Sequence, residues 1–450
     1  MTIQLSDHFT YKKLLRFTLP SVVMMIFSSI YGVVDGIFVS NFAGTTAFAA
    51  VNLIMPYLMI WSGVAFMVGT GGSALVAKTM GEGDTKKAND RFSLLVTTSI
   101  LASAVFAALS LLFLKPVTAA FGAEGQMFED CVTYAWCILP ALPFFFLQML
   151  FQSFLVVAQK PNFGLAVTVA AGVTNMVLDF LLVGVLDLGL VGAGLATAFS
   201  QAVGGVIPLF YFLFSKKAVL KLRRFRFERG VIWRACFNGS SEMMTNISMS
   251  VVNMLYNARL MALEGERGVA AYGVIMYVAF VFVSAFIGYT VGCSPIISYH
   301  FGAKNRKELR SLHHRNKVII AITSAFMVIF AFAFASPFSR IFASQDEALL
   351  KLTIRAFYLY SPSFILAGIN IYGSAFFTAL GDGLVSAIIS FARMFLFEVI
   401  FVSILPLLLG IDGIWLTVVF VEIASFIVVV SFFMAFRQKY GYGKEREVCL

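Results

Sequence analysis

The chain has 450 residues, of which 60% are hydrophobic and only 12% charged, with a formal net charge of +10 and a mean hydropathy of +0.89. Soluble domains carry about 25% charged residues, so this chain has too little polar surface to cover itself in water, and an ordinary soluble enzyme is excluded. Most of it is built for lipid.

A bilayer core takes about 20 consecutive apolar residues per helix. In chain order such stretches lie at 17–40, 48–77, 92–114, 133–157, 163–186 and 191–214, then at 238–262, 270–298, 317–336, 353–379, 386–408 and 412–436. Helices are the expected form, because a backbone in lipid must satisfy its own hydrogen bonds. The first stretch is longer than a signal-peptide core and lacks a cleavage pattern, so it is expected to be retained. The cysteines Cys131, Cys137, Cys236, Cys293 and Cys449 have no metal-ligand spacing and read as small apolar packing residues.

Alternating connections hold nearly all the basic residues. Lys12, Lys13 and Arg16 precede span one, Lys78, Lys86, Lys87 and Arg91 follow span two, and Lys160 follows span four. Eight more lie between Lys216 and Arg234, six between Lys304 and Lys317, and four in the tail from Arg437 to Arg446, so that 26 of 33 fall on one side. The positive-inside rule places this side, with both termini, in the cytoplasm of a bacterial inner membrane. It also accounts for the basic charge without nucleic acid. Anionic lipid headgroups are the expected partners of the 215–234 stretch, and the histidines His8, His300, His313 and His314 fall in tails and loops where solvation is expected.

The halves repeat at an offset of 221 residues. Gly44 meets Gly265, Gly71 meets Gly292, Gly81 meets Gly302, Pro116 meets Pro337, and Gly189 and Gly192 meet Gly410 and Gly413. Matching glycines and prolines mark matching backbone needs. An even number of spans per half makes the repeats parallel. The predicted fold is all-α, with twelve transmembrane helices in two six-helix lobes: an amino-terminal lobe over 1–214, a basic linker over 215–234 and a carboxy-terminal lobe over 235–450. Two such lobes suit alternating access around a central cleft. No phosphate-binding loop or nucleophile constellation appears, so neither an enzyme nor a cofactor is expected, and an ion gradient is the expected energy source.

A carboxylate within a span costs several kcal/mol and asks for a partner or a task. Asp35 lies deep in span one and Asp179 in the middle of span five, with Asn175 one turn before it on the same helical face. Loss of water and a second nearby acid both disfavour the charged form of a carboxyl, so such a pair can load and release a proton or hold sodium. Read as structure alone, each would accept hydrogen bonds and fix packing; two unpaired acids in one half favour the functional reading. Glu398, five residues after Arg393, reads as an ion-pair or network partner, while Glu422 and Glu242 are open either way. With 19 Met and 49 Phe, a minority near the lobe interface can line an adaptable cavity for flat cations. Tyr31, Met55, Gln148, Met176, Asn253 and Asn370 are the candidate substrate-facing residues.

These segments resemble a known family. Pro20, Val34-Asp35-Gly-Ile-Phe-Val, the run Gly44 to Leu53, Gly81-Glu-Gly-Asp84, Asn175 to Asp179, Gly192 to Gln201 and Phe376 to Gly383 are, in that order and spacing, similar to the MATE (multidrug and toxic compound extrusion) family, nearest its MepA-like bacterial branch. The resemblance implies a V-shaped two-lobed antiporter exporting drugs and organic cations in exchange for protons or sodium, acting as a monomer. It also implies cation coupling by Asp35, Asn175, Asp179 and Thr197, with a hinge at Pro20. The chain departs from members that carry acidic ligands in spans seven and ten, since it has Asn246, Asn253, Asn257 and Asn370 there. Coupling is therefore expected in the amino-terminal lobe and by protons. A lipid-linked precursor flippase or a narrow metabolite exporter of the same superfamily is the alternative; a flippase would want a strongly cationic cavity, and only Arg259 and Arg393 lie at membrane depth.

Overall fold

The computed structural model describes residues 3–38, 45–343 and 346–443, all helical apart from turns and connecting segments. Gly44, at the start of one family-like segment, lies outside these residues, as do Lys444, Arg446 and Cys449 in the tail. The amino-terminal lobe comprises α1 (Tyr11–Phe38), α2 (Thr45–Gly81), α3 (Thr85–Leu112), the short α4 (Leu114–Ala120), α5 (Gly125–Ile138), α6 (Leu142–Val157), α7 (Pro161–Leu178) and α8 (Gly189–Phe214). A linking helix α9 (Arg229–Asn238) leads to α10 (Ser240–Gly302), α11 (Arg306–Ala343), α12 (Glu347–Tyr360), α13 (Phe364–Leu380), α14 (Gly383–Phe391), α15 (Phe397–Leu409) and α16 (Ile411–Phe436). Thus α9 begins inside the stretch read from sequence as linker.

Among the described residues, eleven helical stretches are long and apolar enough to cross a membrane. The longest, α10, has 63 residues and is broken at Gly265, whose φ of 61° and ψ of −145° lie outside helical space. Only glycine takes that conformation without strain. The break makes two spans of α10, and the twelve expected spans are recovered.

Local devices recur in both halves. Three-residue 3-10 turns at Leu139–Ala141 and Ser361–Ser363, each containing a proline, join α5 to α6 and α12 to α13. The Gly81-to-Asp84 segment ends α2 and caps α3, where the Asp84 carboxylate accepts from the Lys87 amide at 2.9 Å. Exactly one repeat later Asn305 caps α11 by accepting from the Glu308 amide at 3.1 Å. Each cap satisfies one of the free amides at a helix start. The fifth span of each lobe also contains a π-helical turn, Asp179–Val185 in the first and Ala392–Leu396 in the second.

The lobes meet on the face that carries the basic loops, where α1 and α2 pack on α9 and α10. These contacts are backbone on backbone. A Cβ at Gly81 would overlap the Tyr299 carbonyl oxygen, and one at Gly302 would overlap the Lys78 carbonyl oxygen. The two contacts are one repeat apart, so a pseudo-twofold axis runs through the crossing. Gly71 against Ala235 and Gly239, and Gly292 against Thr18, form a second related pair.

Two strands of irregular chain strap this face. The Lys221 amide donates to Asn89 Oδ1 at 2.6 Å and the Arg223 amide to Ser93 Oγ at 3.0 Å, tying the linker to α3. The amino-terminal tail reaches the other lobe: Leu5 and Phe9 are buried, the Phe9 amide donates to Glu308 Oε1 at 2.9 Å, and His8 Nδ1 lies 2.7 Å from Glu308 Oε2. The expectation of solvated histidines fails here. His300 and His313 are 2% and 6% exposed; His313 packs among Tyr372, Phe376, Phe433 and Tyr442. Both lie on helices, α10 and α11, on faces turned into the lobe, while His314 and His8 keep the exposed setting expected of all four, His8 with its ring against Glu308.

The crossing predicts a specific mutant effect. Gly302→Ala places a methyl group against the Lys78 carbonyl, so the helices must separate. In a background with the native cysteines replaced, Gly302→Ala is expected to raise the rate of thiol modification of Lys78→Cys severalfold; an unchanged rate would show that the crossing does not hold this face closed.

Candidate functional site

The amino-terminal lobe contains a polar site among α1, α6, α7 and α8. Helix α1 packs along α7 because Gly172 leaves room for two rings: a Cβ there would lie 3.0 Å from Tyr31 and closer still to Phe27. Asp35 follows Tyr31 by one turn and faces the same helix. The Asp35 carboxyl faces Asp179 and Asn175. Asp179 is 0% exposed and opens the π-helical turn, and Asn175 is 2% exposed. A π turn shifts the register of side chains around a helix and is common at functional positions.

The hydrogen-bond inventory of this site is unbalanced. Asp35 Oδ1, Asn175 Oδ1, both oxygens of Asp179, Thr197 Oγ1 and Gln201 Oε1 are buried with no hydrogen-bond partner among the described residues. All six are acceptors, and five of them can only accept. A buried polar atom without a partner costs about 1–3 kcal/mol, and two facing carboxylates add repulsion. One added proton turns two facing carboxyls into a donor and an acceptor. A hard monovalent cation would satisfy several oxygens at once. The site therefore has the chemistry of a cation receptor.

A small cavity of about 70 Å³ adjoins it, lined by Tyr31, Gly32, Asp35, Phe145, Gln148, Asn175, Thr197, Ser200 and Gln201. The structure thus brings together Asp35, Asn175, Asp179 and Thr197, and places Tyr31 and Gln148 beside them. It leaves the other substrate-facing candidates elsewhere. Met55 packs on an apolar cluster with Ala47, Val51 and Ile54, and Met176 is half-buried on α7 and absent from the cavity lining. Asn253 is exposed on α10 and accepts from the Tyr272 hydroxyl at 3.1 Å. Asn370 is fully buried and donates to Glu422 Oε2 at 2.6 Å, so in this conformation it is a network residue and not a cavity wall. Pro20 lies within an uninterrupted α1. Phe145, Ser200 and Gln201 were not picked out from sequence; Gln201 follows Thr197 by one turn, a spacing that would have found it.

The carboxy-terminal lobe has a different network. Arg393, on the π-helical turn, binds Glu422 of α16 through Nε at 3.0 Å and Nη2 at 2.6 Å. Of the two expectations for Glu398, the network contact is the one formed: it accepts from the Tyr256 hydroxyl at 2.7 Å, while the Arg393 guanidinium is directed to α16. Glu242, half-buried at the start of α10, has no ion-pair partner among the described residues. Breaking a buried ion pair by removing one partner costs about 3–5 kcal/mol, so Arg393 and Glu422 act as a structural brace.

The family model MatE matches this chain twice, over residues 20–181 and 243–404, once in each lobe. The multidrug export protein MepA of Staphylococcus haemolyticus is 22% identical over 421 residues, covering 93% of this chain and 92% of that protein. A crystal structure of a MATE protein in the straight conformation superposes with a TM-score of 0.88 at 22% identity, covering 96% of this chain and 97% of the other. An outward-facing multidrug resistance MATE transporter of the MOP superfamily superposes with a TM-score of 0.88 at 23% identity, covering 98% of both chains. Two family matches, one per six-span lobe, account for the internal repeat, and with them the assignment is secure: the chain belongs to the MatE family and is a membrane transport protein, not an enzyme.

Proposed function

We propose that this protein is a secondary active multidrug efflux antiporter, exporting cationic and amphipathic drugs in exchange for protons or sodium ions, with Asp35 and Asp179 as the coupling carboxylates. The observation that carries the reading is the surplus of six buried acceptor atoms around that pair. An inward-moving cation supplies what they lack. Drug binding beside Asp35 would compete for the same charge, because Tyr31, Phe145 and Gln148 offer aromatic faces and an amide next to the acid. Cation and drug then exclude one another, which is the requirement for exchange.

The basic loops orient the protein with both termini in the cytoplasm of the bacterial inner membrane. The glycine crossings close that face, which in this orientation is the cytoplasmic one. Alternation consists of the lobes 1–214 and 235–450 rocking about the 215–234 linker in a monomer, with anionic lipid against its lysines and arginines. Pro20 supplies the hinge in α1, since a proline in a helix interior leaves the preceding turn one hydrogen bond short. Coupling by protons is favoured over sodium because Asp35 and Asp179 already face each other, and one proton between them satisfies both.

Purified protein in proteoliposomes tests this. A proton gradient alone is expected to drive uptake of an ethidium-like cation, and a sodium gradient alone is not; the reverse result would assign coupling to sodium. Asp35→Asn and Asp179→Asn are each expected to reduce gradient-driven transport to background while drug still binds. Normal transport by both variants would overturn the coupling role.

A further inference from the structure

The carboxy-terminal network contains two carboxylates and one guanidinium, and the guanidinium is committed. Glu422 receives Arg393 Nε at 3.0 and 3.2 Å, Arg393 Nη2 at 2.6 Å and Asn370 Nδ2 at 2.6 Å. The remaining Arg393 nitrogen, Nη1, points to Met394 Sδ at 3.5 Å. Glu398 has a neutral donor, the Tyr256 hydroxyl. With both acids ionised the cluster carries one uncompensated negative charge in a membrane-spanning lobe, which is a costly arrangement.

A second observation is independent of this charge count. Tyr256 stands one repeat, 221 residues, after Asp35, and Glu398 stands two residues before the counterpart of Asp179. The acid–acid pair of the first lobe is thus replaced by a hydroxyl–acid pair at the related place in the second. A third concerns Asn370, which is 0% exposed and whose Oδ1 is buried with no donor, directly beside Glu422. The cluster is short of hydrogens.

We propose that Glu398 is a second proton-binding carboxyl, separate from the Asp35–Asp179 pair, that takes up and releases one proton within the carboxy-terminal lobe. Its partner suits both states. A phenol donates to the carboxylate when Glu398 is ionised, and its oxygen accepts the carboxyl O–H once the proton has arrived. A guanidinium could do only the first. The groups facing Glu398 are Tyr256 and Tyr272 from α10, Tyr360 from α12, Arg393 from the π turn and Glu422 from α16. Tyr256 stacks on Tyr272 at 5.1 Å and 10°, and Tyr272 is bonded to the exposed Asn253, while Glu398 itself is half-buried; the site is within reach of the lobe surface. The proton comes from water and returns to it, and no other bond changes.

The inference does not rest on coupling at Asp35, and the test separates the two. Full-length protein in lipid nanodiscs is titrated from alkaline to acidic pH and followed by infrared difference spectroscopy in the region of protonated carboxyl groups. Glu398→Gln is expected to lose one protonated-carboxyl band that the Asp35→Asn, Asp179→Asn double variant retains. Tyr256→Phe, which keeps the ring and removes the hydrogen bond, is expected to move the midpoint of that band without abolishing it, and this variant decides the matter should Glu398→Gln fail to fold. Spectra unchanged in both variants would overturn the proposal. Loss of the band in Glu422→Gln but not in Glu398→Gln would overturn it as well, by giving the proton to the other acid. Bands missing only in the Asp35 and Asp179 variants would support the amino-terminal reading and sink this one.

Discussion

Each helix in a bilayer satisfies its own backbone, so the polar imbalance of this protein is concentrated in a few side chains. The largest is the set of acceptor oxygens around Asp35 and Asp179. Among the described residues these oxygens have no donor within hydrogen-bond reach, and the cost of leaving several buried acceptors unpaired is large against the 5–15 kcal/mol by which folded proteins are stable. A small cation from outside would cancel this deficit, as the proposed coupling role requires. The polar residues of this lobe, its π turn and the adjoining cavity all become intelligible once that is granted.

The two lobes share a backbone plan and differ in chemistry. Caps, 3-10 joints, π turns and glycine crossings recur at or within a residue or so of the repeat, except that the second π turn comes several residues early. The charged side chains at membrane depth do not recur. Asp35 has Tyr256 as its counterpart, and the carboxy-terminal acids are served by an arginine that the first lobe lacks. Backbone geometry is constrained everywhere by the solvent, whereas a buried charge is constrained only by its immediate partners. Duplication therefore preserves the first and leaves the second free to diverge.

The same distinction explains what could be read from the residues alone. Span positions, lobe symmetry and the favoured orientation follow from hydropathy, paired glycines and basic loops, each a repeated or long signal. Asn175 and Asp179 are related by a single helical turn and were legible for that reason. The meeting of Asp35 with Asp179 is a tertiary fact across 144 positions, reached beforehand only through family resemblance. The choice of Glu422 over Glu398 as partner of Arg393 was open in the sequence, because the π turn that directs the guanidinium leaves no mark in composition. His300 and His313 differ from expectation for a related reason: α10 and α11 extend past the apolar stretches, and hydropathy does not report which face of the extension turns inward.

Helix α1 joins the Asp35–Asp179 cluster to the lobe crossing. Its residues Thr18 to Val22 lie against Gly292 and Gly288 of the partner lobe, while Phe27 and Tyr31 pack on Gly172 and Asp35 meets Asp179. At 1.5 Å per residue these two places are about 25 Å apart on one rod. Pro20 falls within the first contact, where the helix already lacks one backbone bond. A change in how Asp35 is held therefore acts on the same helix that closes the opposite face, and the weakest point of that helix lies at the closure. Packing through glycine suits such a face: two backbones in contact separate without unlocking interdigitated side chains or leaving a charge unpaired. The straps formed by the linker on α3 and by the amino-terminal tail on Glu308 span that face with polar bonds at its rim, so the lobes can tilt while remaining tied.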